Sequence, residues 1–215
     1  MRMPLALILV AALTGPALPA PQSRDLGMGL VYFRVHSIPG DLPADMSVRG
    51  RACVLDLRYV AGDGTSGRSL GAWVAAHSGP HTPVLLLANA RTSRALLVGL
   101  GPPESIPGLV ILGPAAPGFQ PDVAVSIAPE TERRAYAAFE NGAPIDSLLS
   151  ESVDKPRSDE AMLAREHLPD SALADDNGPG PGDLPGRPEP PPQLIDSVLQ
   201  RAVQLHRALL ALKRL

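Results

Sequence analysis

A short polar turn between two apolar segments contains the residue of this sequence best placed to act as a nucleophile. The segment VLLLANARTSRALLVGL (84–100) is typical of a buried strand, a turn over Asn89–Arg94 and a helix. A serine hydroxyl at such a turn attacks a carbonyl carbon when a neighbouring base accepts its proton, which makes Ser93 the candidate nucleophile. In the other interpretation the segment is only a turn and helix cap, in which Asn89 or Thr92 accepts the first helical N–H groups. The local pattern favours the turn and cap.

A serine nucleophile needs a base, and no spacing in the sequence assigns that role to a particular residue. The five histidines are His36, His77, His81, His167 and His206. His77 and His81 precede the strand that leads to Ser93, but a histidine at a helix end or in a loop is usually a surface residue. Asp56 or Asp63 could orient such a histidine, although no motif links them. A serine–histidine site therefore remains an alternative.

The chain lacks the motifs that indicate a metal, nucleotide or nucleic-acid site. It has no HExxH sequence, no cysteine pair and no group of His and Asp residues at ligand spacing. DDNG (175–178) is similar to the start of a calcium loop but lacks the downstream glutamate. GDGTSG (62–67) lacks the lysine of a phosphate loop and is predicted to be a turn. The net charge of −3 provides no strong basic field, so we expect no nucleic-acid partner, metal or cofactor.

The N-terminus indicates export. Residues 1–20 combine a basic residue, an apolar run over Leu5–Leu13 and a segment of small residues and prolines, the layout of a secretory signal peptide cleaved after Ala17 or Ala20. A membrane anchor would need about 20 apolar residues, so no transmembrane segment is expected in the mature chain. The single cysteine, Cys53, lies in an apolar run and is expected to be buried. The protein is therefore predicted to be secreted, to the periplasm.

Strand-like and helix-like segments alternate over residues 24–154, which we take as the core domain. Runs of apolar and β-branched residues predict strands over 29–36, 51–59, 84–88, 108–113 and 122–127. Helical spacing and capping residues predict helices over 69–78, 92–100 and 129–142. Several strands are continuous apolar runs, as expected where both faces of a parallel sheet are covered. The fold class is therefore predicted to be α/β, with a mostly parallel buried sheet flanked by helices.

The composition changes after the core domain. Residues 155–192 are rich in proline, glycine and charged residues and are predicted to be a disordered, flexible linker with one short helix over 158–168. Residues 193–215 are predicted to form an amphipathic helix, with an apolar stripe that includes Val198 and Leu199. Because the stripe is wide, we expect the helix to dock on the domain or on a partner. Binding to a membrane surface is the weaker alternative, since the polar face is not richly basic.

With this layout, several segments resemble the tail-specific, or carboxy-terminal processing, serine peptidases, a family with a ClpP/crotonase-like core. CVLDLRYVAGDG is similar to a strand and loop of the family: Asp56–Arg58 and Gly62 match it, whereas Tyr59–Ala61 and Asp63 depart from it. PVLLLANARTSRALLVGL resembles the segment that carries the nucleophile helix. GLVILGPAAPGFQPDVAVSI resembles the following strand, lysine loop and closing strand, and DSVLQRAVQLHRALLAL resembles the terminal helix. No PDZ domain of the family is visible.

The resemblance extends over residues 29–127 and 194–212 in separate pieces and implies a ClpP/crotonase-like fold. In this family a serine attacks the peptide carbonyl, a lysine kept neutral by burial takes the serine proton, and backbone N–H groups stabilise the oxyanion. The resemblance therefore implies vestigial roles for Ser93 as nucleophile and for the Gly62 N–H as an oxyanion donor.

The resemblance also implies that the catalytic pair of the family is incomplete. Alignment on the nucleophile helix places Arg91 in the nucleophile position, and a gap placed elsewhere moves Ser93 into it. The two lysines of the chain, Lys155 and Lys213, both lie outside 108–127, the segment where the base belongs. An arginine stays charged at neutral pH and cannot replace the lysine as a base.

These observations predict an exported, non-catalytic homologue of a tail-specific peptidase that acts as a binding or scaffolding protein of the cell envelope. Its partner would be a polypeptide or a partner helix, bound through the helix of 193–215 or through the substrate cleft of the family, and self-association remains open. The alternative from the enzyme class is a divergent serine peptidase or hydrolase that uses Ser93 with an unconventional base. In a third hypothesis the linker and terminal helix are themselves the binding element.

Overall fold

The computed structural model describes residues 22–102, 105–149 and 193–215. The predicted signal peptide (1–20), the predicted linker (155–192) and the short helix predicted within that linker lie outside the described residues.

Six strands form one sheet in which spatial order follows chain order. The strands are β1 (Gln22–Asp25), β2 (Leu30–Arg34), β3 (Ala52–Asp56), β4 (Val84–Leu87), β5 (Leu109–Gly113) and β6 (Val123–Ala124). β1 pairs antiparallel with β2, and every other neighbouring pair is parallel. The prediction of an α/β fold with a mostly parallel sheet is therefore confirmed.

Helices cover both faces of the sheet. They are α1 (Asp45–Val48), α2 (Gly64–His77), α3 (Arg94–Gly99), α4 (Pro129–Glu140) and α5 (Ser197–Ala211), with a 3-10 turn at Ile145–Leu148. Residues of α1, α2 and α3 belong to one hydrophobic core, whereas α4, the 3-10 turn and α5 contribute to a second core on the opposite face. The terminal helix predicted for 193–215 is thus present and docked on the domain.

The apolar runs divide between these two cores because successive strand residues point to opposite faces. In β4, Val84 and Leu86 belong to the first core, while Leu85 and Leu87 belong to the second. All four side chains are buried. This two-sided burial explains why the strand is a continuous apolar run instead of an alternating one.

The structure differs from the sequence prediction at the start of α2. The segment predicted to be a turn (62–67) contains the first residues of the helix, because α2 begins at Gly64 instead of residue 69. The cause is Asp63, whose carboxylate Oδ1 accepts hydrogen bonds from the N–H groups of Thr65 at 3.0 Å and Ser66 at 2.8 Å. An aspartate N-cap of this kind allows a glycine- and serine-rich segment to enter a helix.

The strand β1 and the helix α1 were not predicted, and β6 is shorter than the predicted strand. Within the described ranges, no helix has the length and apolar character needed to cross a membrane.

Candidate functional site

The candidate nucleophile Ser93 lies between β4 and α3, in the N-cap position of α3. Its hydroxyl donates a hydrogen bond to the main-chain carbonyl of Gly62, with an Oγ–O distance of 2.6 Å. Its backbone N–H donates to the carbonyl of Val60 at 2.9 Å. Two polar groups of Ser93 thus attach the start of α3 to the loop that follows β3. The contact of Ser93 with Gly62 involves the glycine carbonyl, which is an acceptor and cannot stabilise an oxyanion.

The turn before Ser93 is organised by the side chains of Asn89 and Thr92. The Asn89 Oδ1 atom accepts hydrogen bonds from the N–H groups of Arg91 at 3.0 Å and Thr92 at 3.1 Å. The Thr92 hydroxyl donates to the carbonyl of Leu57 at 2.9 Å, which joins the turn to the end of β3. Asn89 therefore stabilises a local side-chain turn. α3 itself has no side-chain cap, so the predicted capping of its N–H groups by Asn89 or Thr92 does not occur.

The histidines of the described residues have partners away from Ser93. The Nε2 atom of His77 lies 3.1 Å from Asp45 Oδ1, and its Nδ1 atom lies 2.7 Å from the carbonyl of Trp73. His36 Nε2 lies 2.7 Å from Glu140 Oε1. The remaining two contact main-chain carbonyls, His81 that of Arg214 and His206 that of Met28.

The acidic residues considered as orienting groups are also engaged elsewhere. Asp63 caps α2, and Asp56 lies in the ion-pair network described below. Lys213 follows α5, on the opposite face of the sheet from α3. Over residues 22–102, 105–149 and 193–215, therefore, no histidine, carboxylate or lysine forms a hydrogen bond with the Ser93 hydroxyl. The Ser93 hydroxyl donates instead to the main-chain carbonyl of Gly62.

The largest concentration of buried charge lies at the carboxyl ends of β2 and β3, centred on Arg58. The Arg58 guanidinium donates to both carboxylate oxygens of Asp56, with distances of 2.9 Å from Nε to Oδ1 and 2.7 Å from Nη2 to Oδ2. It also donates to both oxygens of Asp196, from Nη1 at 3.0 Å and from Nη2 at 2.8 Å. All three side chains are buried. Arg58 therefore joins the end of β3 to the N-cap of α5, where Asp196 Oδ1 also accepts the N–H of Leu199.

A second arginine extends the network towards α4. The Tyr32 hydroxyl donates to Asp56 Oδ2 at 2.8 Å and accepts from Arg34 Nε at 3.1 Å. Arg34 also pairs with Glu140, with an Nη1–Oε1 distance of 3.1 Å. The guanidinium carbon of Arg34 lies 3.9 Å from the ring centroid of Tyr136, within cation–π range. We call the residues Tyr32, Arg34, Asp56, Arg58 and Asp196 the buried ion-pair network.

The charges of this network stabilise one another against burial. Burial alone would raise the pKa of Asp56, but the charge and hydrogen bonds of Arg58, together with Arg34 and Tyr32, lower it below its usual value. Burial likewise disfavours the charged guanidinium of Arg58, yet Asp196 and Asp56 raise its pKa well above the usual range. Both groups are therefore ionised at neutral pH.

Next to the network, Glu132 of α4 lies against the turn that precedes Ser93. Its Oε1 atom accepts a hydrogen bond from Asn89 Nδ2 at 2.9 Å, and the residue is buried. Burial raises the pKa of Glu132, against the lowering effects of Asn89 and the charge of Arg58. Nearby, Tyr59 has a φ of 65°, in the left-handed region, and its ring centroid lies 4.8 Å from the ring centroid of Tyr136.

Sequence reasoning singled out Asp56 and Arg58 through the resemblance but missed their partners. Arg34 and Tyr32 are both buried in a strand that the sequence presents as apolar, and an arginine within such a strand indicates a buried partner. Asp196 is the N-cap of α5 in the structure, and its sequence signal is an aspartate just before a periodic apolar stripe.

The described residues contain no group of three or more His, Cys, Asp or Glu side chains that could hold a metal ion. Cys53 is buried as predicted, and burial raises its pKa to about 12, so its thiol stays protonated at neutral pH. No protein-family model matches the chain, and no curated protein is significantly similar to it.

Proposed function

We propose that this protein is an exported, non-catalytic relative of the tail-specific serine peptidases, which serves as a binding or scaffolding domain in the cell envelope. The observation that carries the proposal is the hydrogen bond from the Ser93 hydroxyl to the Gly62 carbonyl. A carbonyl oxygen cannot take a proton from serine at neutral pH, so this contact holds the hydroxyl without activating it.

The segment that resembles the family most closely supports the same proposal. Asp56 and Arg58 are fully engaged with each other and with Asp196. These residues join the sheet to α5, so their retention is explained by the stability of the fold. The proposal of export rests on the layout of residues 1–20.

The position of α5 argues against the third hypothesis, in which the terminal helix is itself the binding element. The side chains of Val198, Leu199, Ala202 and Val203 are buried in the second hydrophobic core. The apolar stripe of this helix is therefore used within the domain, and a partner would bind at another surface.

The test is labelling of the folded protein with a fluorophosphonate probe, which reacts with activated serines. We expect no labelling of the wild-type protein, nor of Ser93→Ala, under conditions where an added serine hydrolase is labelled. Circular dichroism of both proteins would show that they are folded. Labelling of the wild-type protein that disappears in Ser93→Ala would contradict the proposal and support a divergent serine hydrolase.

A further inference from the structure

An open groove runs between α2 and α3, with a volume of about 660 Å³. Its lining includes Arg68 on α2 and Arg94, Val98 and Gly99 on α3. This volume is in the range of ligand-binding clefts, and much of the lining is apolar or glycine. Val98 is 68% exposed, which makes it one of the few large apolar side chains that the described residues present to solvent. The groove thus offers apolar surface that residues 22–102, 105–149 and 193–215 leave exposed.

At the base of the groove the two helices touch through glycines. A Cβ atom added to Gly99 would lie 2.2 Å from the carbonyl carbon and oxygen of Gly67, and one added to Gly71 would lie 2.2 Å from the carbonyl oxygen of Gly99. Side chains at these positions would force the helices apart. The backbones of the two helices therefore meet directly beneath the groove.

Two arginines at the groove have no acidic partner among the described residues. Arg68, on α2, and Arg94, on α3, are exposed, and neither forms an ion pair within the described ranges. The Nη2 atom of Arg68 donates only to the Thr65 hydroxyl, at 3.1 Å. The nearby Asp63 carboxylate is not part of the lining and accepts hydrogen bonds from the first turn of α2. The groove therefore combines an apolar surface with positive charge.

We propose that this groove binds an acidic polypeptide segment of a partner protein, one that alternates carboxylates with leucine-like side chains. The carboxylates pair with Arg68 and Arg94, and an apolar side chain packs on the exposed Val98. Charge complementarity selects an acidic partner, and the open shape of the groove suits an extended or helical segment. This inference rests on the proposed binding role of the protein and names the surface and the partner chemistry.

The test uses a dye-labelled peptide of repeated Glu-Glu-Leu-Leu units, titrated with the full chain and followed by fluorescence anisotropy. We expect saturable binding that weakens with added salt. The combined variant Arg68→Glu and Arg94→Glu should weaken binding about tenfold or more, because like charges then face each other. Val98→Ser should weaken binding several-fold through loss of apolar contact. Peptides of Lys-Lys-Leu-Leu and of Glu-Glu-Ser-Ser units should both bind more weakly than the first peptide.

A matched control is the combined variant Arg201→Glu and Arg207→Glu, which makes the same charge change on exposed positions of α5. It should bind the acidic peptide like the wild-type protein. If both combined variants lose binding equally, the effect is one of net charge and the inference is wrong. The inference is also wrong if the wild-type protein does not bind the peptide at concentrations up to about 1 mM. Fluorophosphonate labelling that depends on Ser93 would refute the proposed non-catalytic role, whether or not the peptide binds. Failure of the groove proposal and failure of the proposed function are therefore seen in different assays.

Discussion

The substitution Asp196→Asn should destabilise the folded protein by about 3 kcal/mol. Removing one partner of a buried ion pair typically costs about 3–5 kcal/mol, because the other charge stays buried without compensation. Here the lower end applies, since the Arg58 guanidinium keeps its two hydrogen bonds to Asp56, and the asparagine carbonyl can still accept one hydrogen bond from Arg58. Asparagine is also as good an N-cap as aspartate, so the cap on Leu199 is retained. The variant therefore removes the charge of Asp196 and one of its two hydrogen bonds with Arg58, while the helix cap is retained.

Urea denaturation followed by circular dichroism would measure this loss, and a thermal scan should show a decrease in Tm of about 6–12 °C for a domain of this size. The matched control is Asp25→Asn, the same chemical change in the exposed ion pair of Asp25 with Arg51, whose N–O distance is 2.7 Å. Its midpoint should move far less, because solvent screens the exposed pair. If Asp196→Asn changes the unfolding midpoint no more than Asp25→Asn does, the buried pair does not hold α5 on the sheet.

Two further substitutions test the packing and the electrostatics near the site. Gly99→Ala should destabilise the protein by about 1–3 kcal/mol in urea titrations, because its new methyl group overlaps the backbone of Gly67. Its control is Gly64→Ala, whose added Cβ meets only a side-chain atom at 3.9 Å and which should be neutral or slightly stabilising. Glu132→Gln tests the raised pKa of Glu132. Because the folded state binds this proton more tightly than the unfolded state, Glu132 contributes stability below its usual pKa of 4.5. That contribution is lost as the pH rises through the folded-state pKa. The variant, which keeps an acceptor for Asn89, should therefore gain stability relative to wild type between pH 4 and pH 7, and a difference that is constant over this range would contradict the pKa shift.

The sheet could be predicted from the sequence because its strands are continuous apolar runs. Segments such as Val84–Leu87 are buried on both faces, and continuous apolar runs of this kind are typical of a parallel sheet covered by helices on each side. β1 was missed because its four residues, QSRD, are polar and lie at the edge of the sheet. The early start of α2 was missed because the glycines after Asp63 indicate a turn until the aspartate cap is taken into account.

The buried ion-pair network could not be predicted in the same way. Arg58 and Asp196 are 138 residues apart in the sequence, and no local pattern shows that they meet. Periodicity indicates which face of a helix is buried, but not where on the sheet that helix is placed. The role of Ser93 also depends on such contacts. Its sequence context suits a nucleophile as well as a turn, and the two differ only in whether the hydroxyl meets a base or the carbonyl of Gly62.

The network explains how one sequence selects a single position for α5. Apolar contacts alone would tolerate a shift of the helix along the sheet, because its stripe repeats about every turn of 5.4 Å. A shift of one turn would break the contacts of 3.0 Å and 2.8 Å between Arg58 and Asp196 and leave the Asp196 carboxylate without its ion-pair partner. The ion pair therefore specifies the register of α5, while the apolar stripe supplies most of the attraction. Asp196→Asn leaves that stripe intact. If this variant has a lower Tm but binds the acidic peptide with unchanged affinity, the ion pair stabilises the attachment of α5 and does not affect the groove on the opposite face.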